Sequence, residues 1–112
     1  MAGPGETFAV HIPWYATGFR KEDLAAALRQ ISELSVRHGA LRYDVYQSHD
    51  DLYKFLQVLE FRTKEDWQGF WYSEDFQSMR ASTSSWYQVP VLYALNDIVA
   101  HGTLAPEPAE LG

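Results

Sequence analysis

The chain has 112 residues, of which 46% are hydrophobic and 15% aromatic, so it can bury one modest core and is not a disordered chain. A formal net charge of −6 argues against nucleic acid as a partner, and the absence of cysteine excludes disulfides, thiolate metal sites and a cysteine nucleophile. Residues 1–6 lack the apolar core of a signal peptide and no apolar run approaches membrane-spanning length, so the expectation is a soluble cytoplasmic protein with no membrane partner.

The first predicted element is a strand, Thr7–Tyr15, which is rich in β-branched and aromatic residues. Its apolar side chains occupy both faces, which is typical of a strand that is covered on both sides. His11 interrupts this apolar run. It is either a neutral core histidine with one hydrogen bond or, because imidazole titrates near neutral pH, a base that removes a proton from an acidic phenol or enol.

A helix is predicted from Lys21 to about Arg37, because leucine and isoleucine recur at helical spacing and Gly39 then provides a stop. Two strands follow, Leu41–Ser48 and Tyr53–Arg62, in which apolar and polar residues alternate. The short polar turn between these strands predicts a β-hairpin.

The segment 63–93 contains a dense group of aromatic residues. It is predicted to form two short helices with N-caps at Thr63 and Ser73, followed by a small polar loop over Ala81–Ser85. Aromatic rings at helical spacing are most often core, but indoles and phenols also line pockets for flat organic ligands. Arg80 is either a surface residue or a cation that holds an anionic oxygen. The candidate ligand-binding residues are Trp67, Trp71, Tyr72, Phe76, Arg80, Trp86, Tyr87 and Tyr93.

The last predicted strand is Val89–Ala100, in which Pro90 indicates an edge position or a bulge. The resulting order, β-α-β-β-α-β, predicts an α+β ferredoxin-like fold, an antiparallel sheet with helices on one face. We expect a single domain over residues 7–100 between a flexible N-terminus, 1–6, and a flexible tail, 101–112. Because the helices leave one apolar sheet face uncovered, we also expect a homodimer whose sheets pack face to face.

Other kinds of site find little support in the sequence. The four histidines have no paired spacing and no carboxylate motif beside them, so no metal site is predicted. Neither a glycine-rich phosphate cradle nor a nucleophile elbow is present.

Two segments resemble the antibiotic biosynthesis monooxygenase family of dimeric α/β barrels, and the resemblance extends over residues 8–100. They are GALRYDVYQS at Gly39–Ser48 and FLQVLEFRTKEDWQGFWYSEDFQSM at Phe55–Met79, with the family pattern carried by Leu59–Phe61 and Trp71–Phe76. The resemblance implies a homodimer that oxygenates an aromatic, quinol or polyketide-like substrate with molecular oxygen and without metal, flavin or other cofactor.

The resemblance also implies roles for three residues. Cofactor-independent members and the haem-degrading branch use an asparagine on the first strand and a tryptophan on the second helix; His11 and Trp71 hold those positions. The haem-degrading branch also needs an axial histidine later on the second helix. This chain has Arg80 near that place instead, which argues against haem degradation. We therefore predict His11, Trp71 and Arg80 as catalytic residues that face one cavity.

Two alternatives to oxygenation remain open. The same pocket and base could carry out a non-redox cyclisation or isomerisation, which would proceed without oxygen. Alternatively, the protein is a non-catalytic dimer that binds a small molecule, with the aromatic residues serving as packing or as a passive binding surface.

Overall fold

In the computed structural model, which describes residues 7–104, three helices cover one face of a four-stranded antiparallel sheet. The strands are β1 (Phe8–Tyr15), β2 (Arg42–Gln47), β3 (Lys54–Phe61) and β4 (Ala94–Asp97), in the spatial order β2-β3-β1-β4. The helices are α1 (Lys21–Ser35), α2 (Lys64–Trp71) and α3 (Glu74–Ser82). The predicted ferredoxin-like order is confirmed, with the second helix divided into α2 and α3. The predictions for residues 1–6 and 105–112 lie outside the described residues.

The alternation of side chains along β1 divides the sheet into two unlike faces. Val10, Ile12 and Trp14 point toward the helices and are at most 2% exposed. His11 and Pro13, the residues between them, therefore point to the opposite side. We call that side the reverse face. Strand register assigns to it Ala9, His11, Pro13, Tyr15, Arg42, Asp44, Tyr46, Lys54, Leu56, Val58, Glu60, Ala94 and Asn96.

The helices begin and end at the predicted signals. Thr63 Oγ1 accepts a hydrogen bond of 3.0 Å from the Asp66 amide, and Ser73 Oγ accepts one of 3.1 Å from the Phe76 amide, so both predicted N-caps are confirmed. After α1, a 3-10 turn at Val36–His38 leads into Gly39, whose φ of 102° lies in the left-handed region. Within residues 7–104, no helix combines the length and apolar character needed to cross a bilayer.

The last strand is shorter than predicted. Only Ala94–Asp97 pair with β1, whereas the prediction placed a strand over Val89–Ala100. Pro90 has no amide donor for a ladder, and the residues just before Ala94 do not pair with β1. The predicted loop Ala81–Ser85 is also partly helical, because α3 continues to Ser82 and a 3-10 turn follows at Ser84–Trp86.

A buried polar network links β1, β3 and α1 inside the core. Trp14 Nε1 donates to Gln57 Oε1 at 3.1 Å, and Gln57 Nε2 donates to Ser32 Oγ at 2.8 Å. Gln57 and Ser32 are fully buried. Because each polar group has a partner, the network fixes how α1 sits on the sheet without leaving an unsatisfied donor between them.

Candidate functional site

An aromatic cluster, formed by Trp67, Phe70, Trp71, Phe76 and Tyr93, brings α2, α3 and the segment before β4 together. The Trp71 ring lies 5.0 Å from Phe76 and 4.8 Å from Tyr93, both edge-on. Trp67 meets Tyr93 at 4.9 Å, and Phe70 stacks on Phe76 at 4.8 Å. The edge-on and stacked geometries are those that aromatic rings favour, so the cluster is rigid.

Arg80 lies on this cluster as a half-buried cation. Its guanidinium carbon is 4.2 Å from the centre of the Trp71 ring and 5.0 Å from that of Phe76. Nη2 donates to the Trp71 carbonyl at 3.0 Å, while the buried Nε has no hydrogen-bond partner among the described residues. A guanidinium has five N–H donors in a fixed plane, so this one has donors to spare for an anionic oxygen.

Tyr87 contacts the backbone of Arg80. Its hydroxyl donates to the Arg80 carbonyl at 3.1 Å, and its ring meets Trp14 edge-on at 4.9 Å. Burial raises the pKa of Tyr87, and the positive charge of Arg80 opposes this rise. The phenol therefore stays neutral and remains a donor.

The predicted ligand-binding residues differ in how much of each reaches the surface. Trp67 and Phe76 are 2% and 0% exposed and serve as packing, whereas Trp71 and Tyr93 are 8% and 41% exposed. Tyr72 follows Trp71 in the chain but projects into solvent. The structure thus brings Trp67, Trp71, Phe76, Arg80, Tyr87 and Tyr93 together.

Trp86 belongs to a different surface. It lines a groove between α1 and α3, where the guanidinium of Arg20 lies 5.5 Å from the centre of its ring. The prediction that Trp86 joins the other aromatic residues in one pocket is therefore not matched by the geometry.

The expectation that His11 shares a cavity with Trp71 and Arg80 is wrong. His11 lies on the reverse face, between Val58 of β3 and Ala94 of β4, while Trp71 and Arg80 belong to the helix layer. Its Nδ1 is 3.0 Å from Nδ2 of Asn96, an arrangement that pairs donor and acceptor when the ring proton is on Nε2.

Asn96 had not been predicted as a partner of His11. The two residues are at opposite ends of the chain, and only the register of β4 on β1 brings them together. No local sequence signal reports that register.

The surface clefts and the acidic and histidine side chains show which other kinds of site the described residues offer. Four clefts are lined by described residues, and none of the four includes His11, Trp71 or Arg80. Across residues 7–104, no three histidine, aspartate or glutamate side chains converge into a metal-binding group.

Solved structures share this fold. No family model and no curated protein matches the chain by sequence. A putative antibiotic biosynthesis monooxygenase from Nitrosomonas europaea is similar at a TM-score of 0.78 and 19% identity, over 88% of this chain and 96% of that chain. A Bordetella bronchiseptica protein of the same description gives 0.75 and 18%, over 85% and 99%. A Pseudomonas aeruginosa protein, PA3566, gives 0.76 and 19%, over 88% and 100%.

At these identities the likeness shows the fold alone. The chain has the fold of proteins described as putative antibiotic biosynthesis monooxygenases, as the sequence resemblance implied.

Proposed function

We propose that the protein is a cofactor-independent monooxygenase that acts on an aromatic, quinol or polyketide-like substrate at Trp71 and Arg80. The observation that supports this most directly is the half-buried guanidinium of Arg80, which lies on the Trp71 ring with its Nε–H unpaired. Buried polar groups without partners are rare in folded proteins, so an unpaired N–H beside an aromatic surface is a candidate binding position. The shared fold with proteins described as putative monooxygenases supports the same class of activity.

The substrate in this proposal is a flat ring that carries an acidic hydroxyl. The ring packs against the exposed edge of Tyr93 and the adjoining Trp71, and its oxygen accepts from Arg80. A neighbouring positive charge lowers the pKa of a bound phenol or enol. The substrate can therefore ionise at Arg80 without His11, which lies on the other side of the sheet.

The reaction then needs only the ionised substrate and molecular oxygen. The electron pair of the enolate carbon forms a bond to oxygen and gives a peroxide. A proton reaches the outer oxygen and gives a hydroperoxide; the O–O bond then breaks, the pair of the remaining C–H bond becomes the C=O double bond, and its proton leaves with the departing hydroxide as water. A methylene and one oxygen molecule thus give a carbonyl and one water. The protein's part is to orient the ring and to hold its anionic oxygen at Arg80.

Oxygen consumption provides the test of this activity. We expect the protein to accelerate oxygen uptake by simple hydroquinones or anthrones, and Arg80→Gln to lower kcat/KM about 10- to 100-fold, which corresponds to the loss of one charge-assisted hydrogen bond. Arg20→Gln is the matched control, because Arg20 also lies over a tryptophan ring but outside the aromatic cluster. No oxygen uptake with any compound, or equal loss in the two variants, contradicts the proposal.

A second candidate function is passive binding of an aromatic anion. It is favoured by the packing of Trp67 and Phe76, which are almost completely buried and leave little room for a reacting substrate. This function predicts that hydroquinones or aromatic carboxylates quench tryptophan fluorescence in an Arg80-dependent way, with no product in air. Turnover without oxygen would instead indicate the cyclase or isomerase alternative.

We also propose that the protein is a homodimer joined through its reverse faces. Leu56 and Val58 lie on this face together with Tyr15 and Tyr46, which are exposed by 38% and 53%. A second copy would bury this apolar surface, and a C2 pairing of like faces is the commonest way to do so.

Sedimentation velocity tests the dimer. Val58→Asp places a charge on the reverse face, and we expect it to give monomers at concentrations where the unchanged protein sediments as a dimer. Val36→Asp is the control, because Val36 is an exposed apolar residue at the end of α1. A monomeric unchanged protein, or a Val58→Asp variant that still dimerises, refutes this assembly.

A further inference from the structure

A groove of about 840 Å³ lies between α1 and α3. It lies apart from the aromatic cluster: Arg80 does not line it, although the neighbouring Met79 does. One wall is a stripe of α1, and the other is a stripe that starts on α3 and ends in the following 3-10 turn. The α1 stripe is Asp23, Ala26, Ala27, Gln30, Ile31 and Leu34; the second is Asp75, Ser78, Met79, Ala81, Ser82, Thr83 and Trp86.

The two stripes are alike at their ends. Each begins with an aspartate and ends 11 residues later in a large apolar residue, while the residues between them mix apolar side chains with the polar Gln30, Ser82 and Thr83. The stripes run in opposite directions, because Arg20, before α1, lies over Trp86, whereas His38, after α1, pairs with Asp75. Each end of the groove therefore presents one aspartate.

The distance between these ends follows from helix geometry. Eleven residues separate Asp23 from Leu34 (34 − 23), and α-helical rise makes this span about 16 Å. Between the ends, Ala27, Ile31 and Met79 form an apolar strip, beside which the polar Gln30 and Thr83 also line the groove. Hydrocarbon rather than water is the favourable occupant of the apolar strip.

Both carboxylates can accept further hydrogen bonds. Asp23 uses Oδ2 to contact Arg20 at 2.8 Å, and Asp75 uses Oδ2 to contact His38 at 3.2 Å. The Asp23 and Asp75 side chains are 46% and 48% exposed, and each retains Oδ1 for a ligand. The net charge of −6 also attracts cations to the protein.

We propose that this groove binds an elongated molecule with an apolar middle and an ammonium group at each end. The hydrocarbon lies along the apolar lining, and each ammonium donates to one of the two aspartates. An uncharged chain would add no ionic contact to the aspartates, and a dicarboxylate would place a like charge beside each of them. This ligand class does not depend on the monooxygenase activity.

Titration with dodecanediamine tests the proposal, because this linear diamine is long enough to reach both ends of the groove. We expect calorimetry to detect binding that weakens as salt is added, and the amide NMR signals of Ala27, Ile31 and Met79 to shift on binding. Three control compounds should each bind at least about fivefold more weakly. Dodecanediol lacks the charges, dodecanedioic acid carries the opposite charges, and butanediamine is too short to span the groove.

Matched variants distinguish the groove from the acidic surface in general. Asp23→Asn and Asp75→Asn should each weaken dodecanediamine binding about three- to fivefold, whereas Glu22→Gln and Glu74→Gln, which remove the same charge one residue away, should leave it unchanged. Ala26→Leu fills the groove on the exposed side of α1 and should abolish binding.

Two results overturn this assignment. One is equal weakening by the aspartate variants and their glutamate controls. The other is binding of the diol or the diacid as strong as that of the diamine. NMR spectra report both folding and the position of binding, so a variant that fails to fold is recognised. The variants that do fold then decide between binding in the groove and binding to the acidic surface in general.

Discussion

Replacing Gln57 with leucine is expected to destabilise the protein by about 2–4 kcal/mol. Gln57 accepts from Trp14 Nε1 at 3.1 Å and donates to Ser32 Oγ at 2.8 Å, and all three side chains are at most 2% exposed. The substitution removes two hydrogen bonds of about 1 kcal/mol each and leaves the indole N–H buried without an acceptor, which adds about 1–3 kcal/mol. The better burial of leucine offsets part of this sum.

The largest part of this cost should disappear when the indole donor is also removed. In a Trp14→Phe background there is no N–H to leave unsatisfied, so Gln57→Leu should cost only about 1–2 kcal/mol. The difference between the two backgrounds is a coupling energy of about 1–2 kcal/mol, which a double-mutant cycle isolates from the cavity that Trp14→Phe creates.

Urea unfolding followed by far-ultraviolet circular dichroism measures these energies without depending on tryptophan emission. All four proteins must be compared at one protomer concentration, because a dimer unfolds at a concentration-dependent midpoint. Gln68→Leu, an exposed glutamine on α2, is the control and should change the free energy of unfolding by less than about 0.5 kcal/mol. A coupling energy below about 0.5 kcal/mol would show that the Trp14–Gln57 hydrogen bond does not hold the sheet and α1 together.

Three further predictions concern local conformation and titration. Gly39→Ala should destabilise the protein by about 1–2 kcal/mol in thermal unfolding, because φ is 102° and the added Cβ would lie 2.9 Å from the Asp66 side-chain carbon Cγ. Gly18→Ala is the control, because the space around Gly18 is open. Equal effects of the two substitutions would contradict this prediction. The hydrogen bond from the Tyr15 hydroxyl lowers the pKa of Asp51. The stabilisation that this bond gives is present above the ordinary aspartate pKa and is lost as the pH falls through the lowered value. Tyr15→Phe should therefore make unfolding less sensitive to acid, and an unchanged acid profile would count against this. Burial raises the pKa of Tyr87. The contribution of the neutral phenol to folding stability is therefore present below the ordinary tyrosine pKa and is lost as the pH rises through the raised value. Tyr87→Phe should make stability fall less steeply with rising pH in the alkaline range, and a steeper fall would refute the assignment.

Local patterns in the sequence predicted the elements of the fold well. The β-hairpin, both N-caps and the stop at Gly39 depend on residues within a few positions of each other, and each is present in the structure. The shared face of Phe76 and Arg80 on α3 is likewise a local property, and the guanidinium does lie 5.0 Å from the centre of the Phe76 ring.

The candidate site was predicted less completely, because its assembly depends on long-range packing. Strand alternation in β1 puts His11 on the face opposite Val10, whereas the family resemblance placed it with Trp71. The alternation was the correct guide. The hydrogen bond between His11 and Asn96 depends on the register of two strands from opposite ends of the chain, which no local pattern encodes.

The position of β1 at the centre of the sheet has a consequence for how the chain folds. β1 is synthesised first, yet Phe8 pairs with Phe61 on one side and with Asp97 on the other. α1 and the hairpin can form from local contacts, and β1 can pair with β3 once Phe61 has left the ribosome, whereas its other edge stays unpaired until Ala94–Asp97 have followed. During that interval the most apolar strand has a free edge that can pair with another nascent chain. Stopping synthesis before Ala94 would make that edge permanent and favour aggregation over folding.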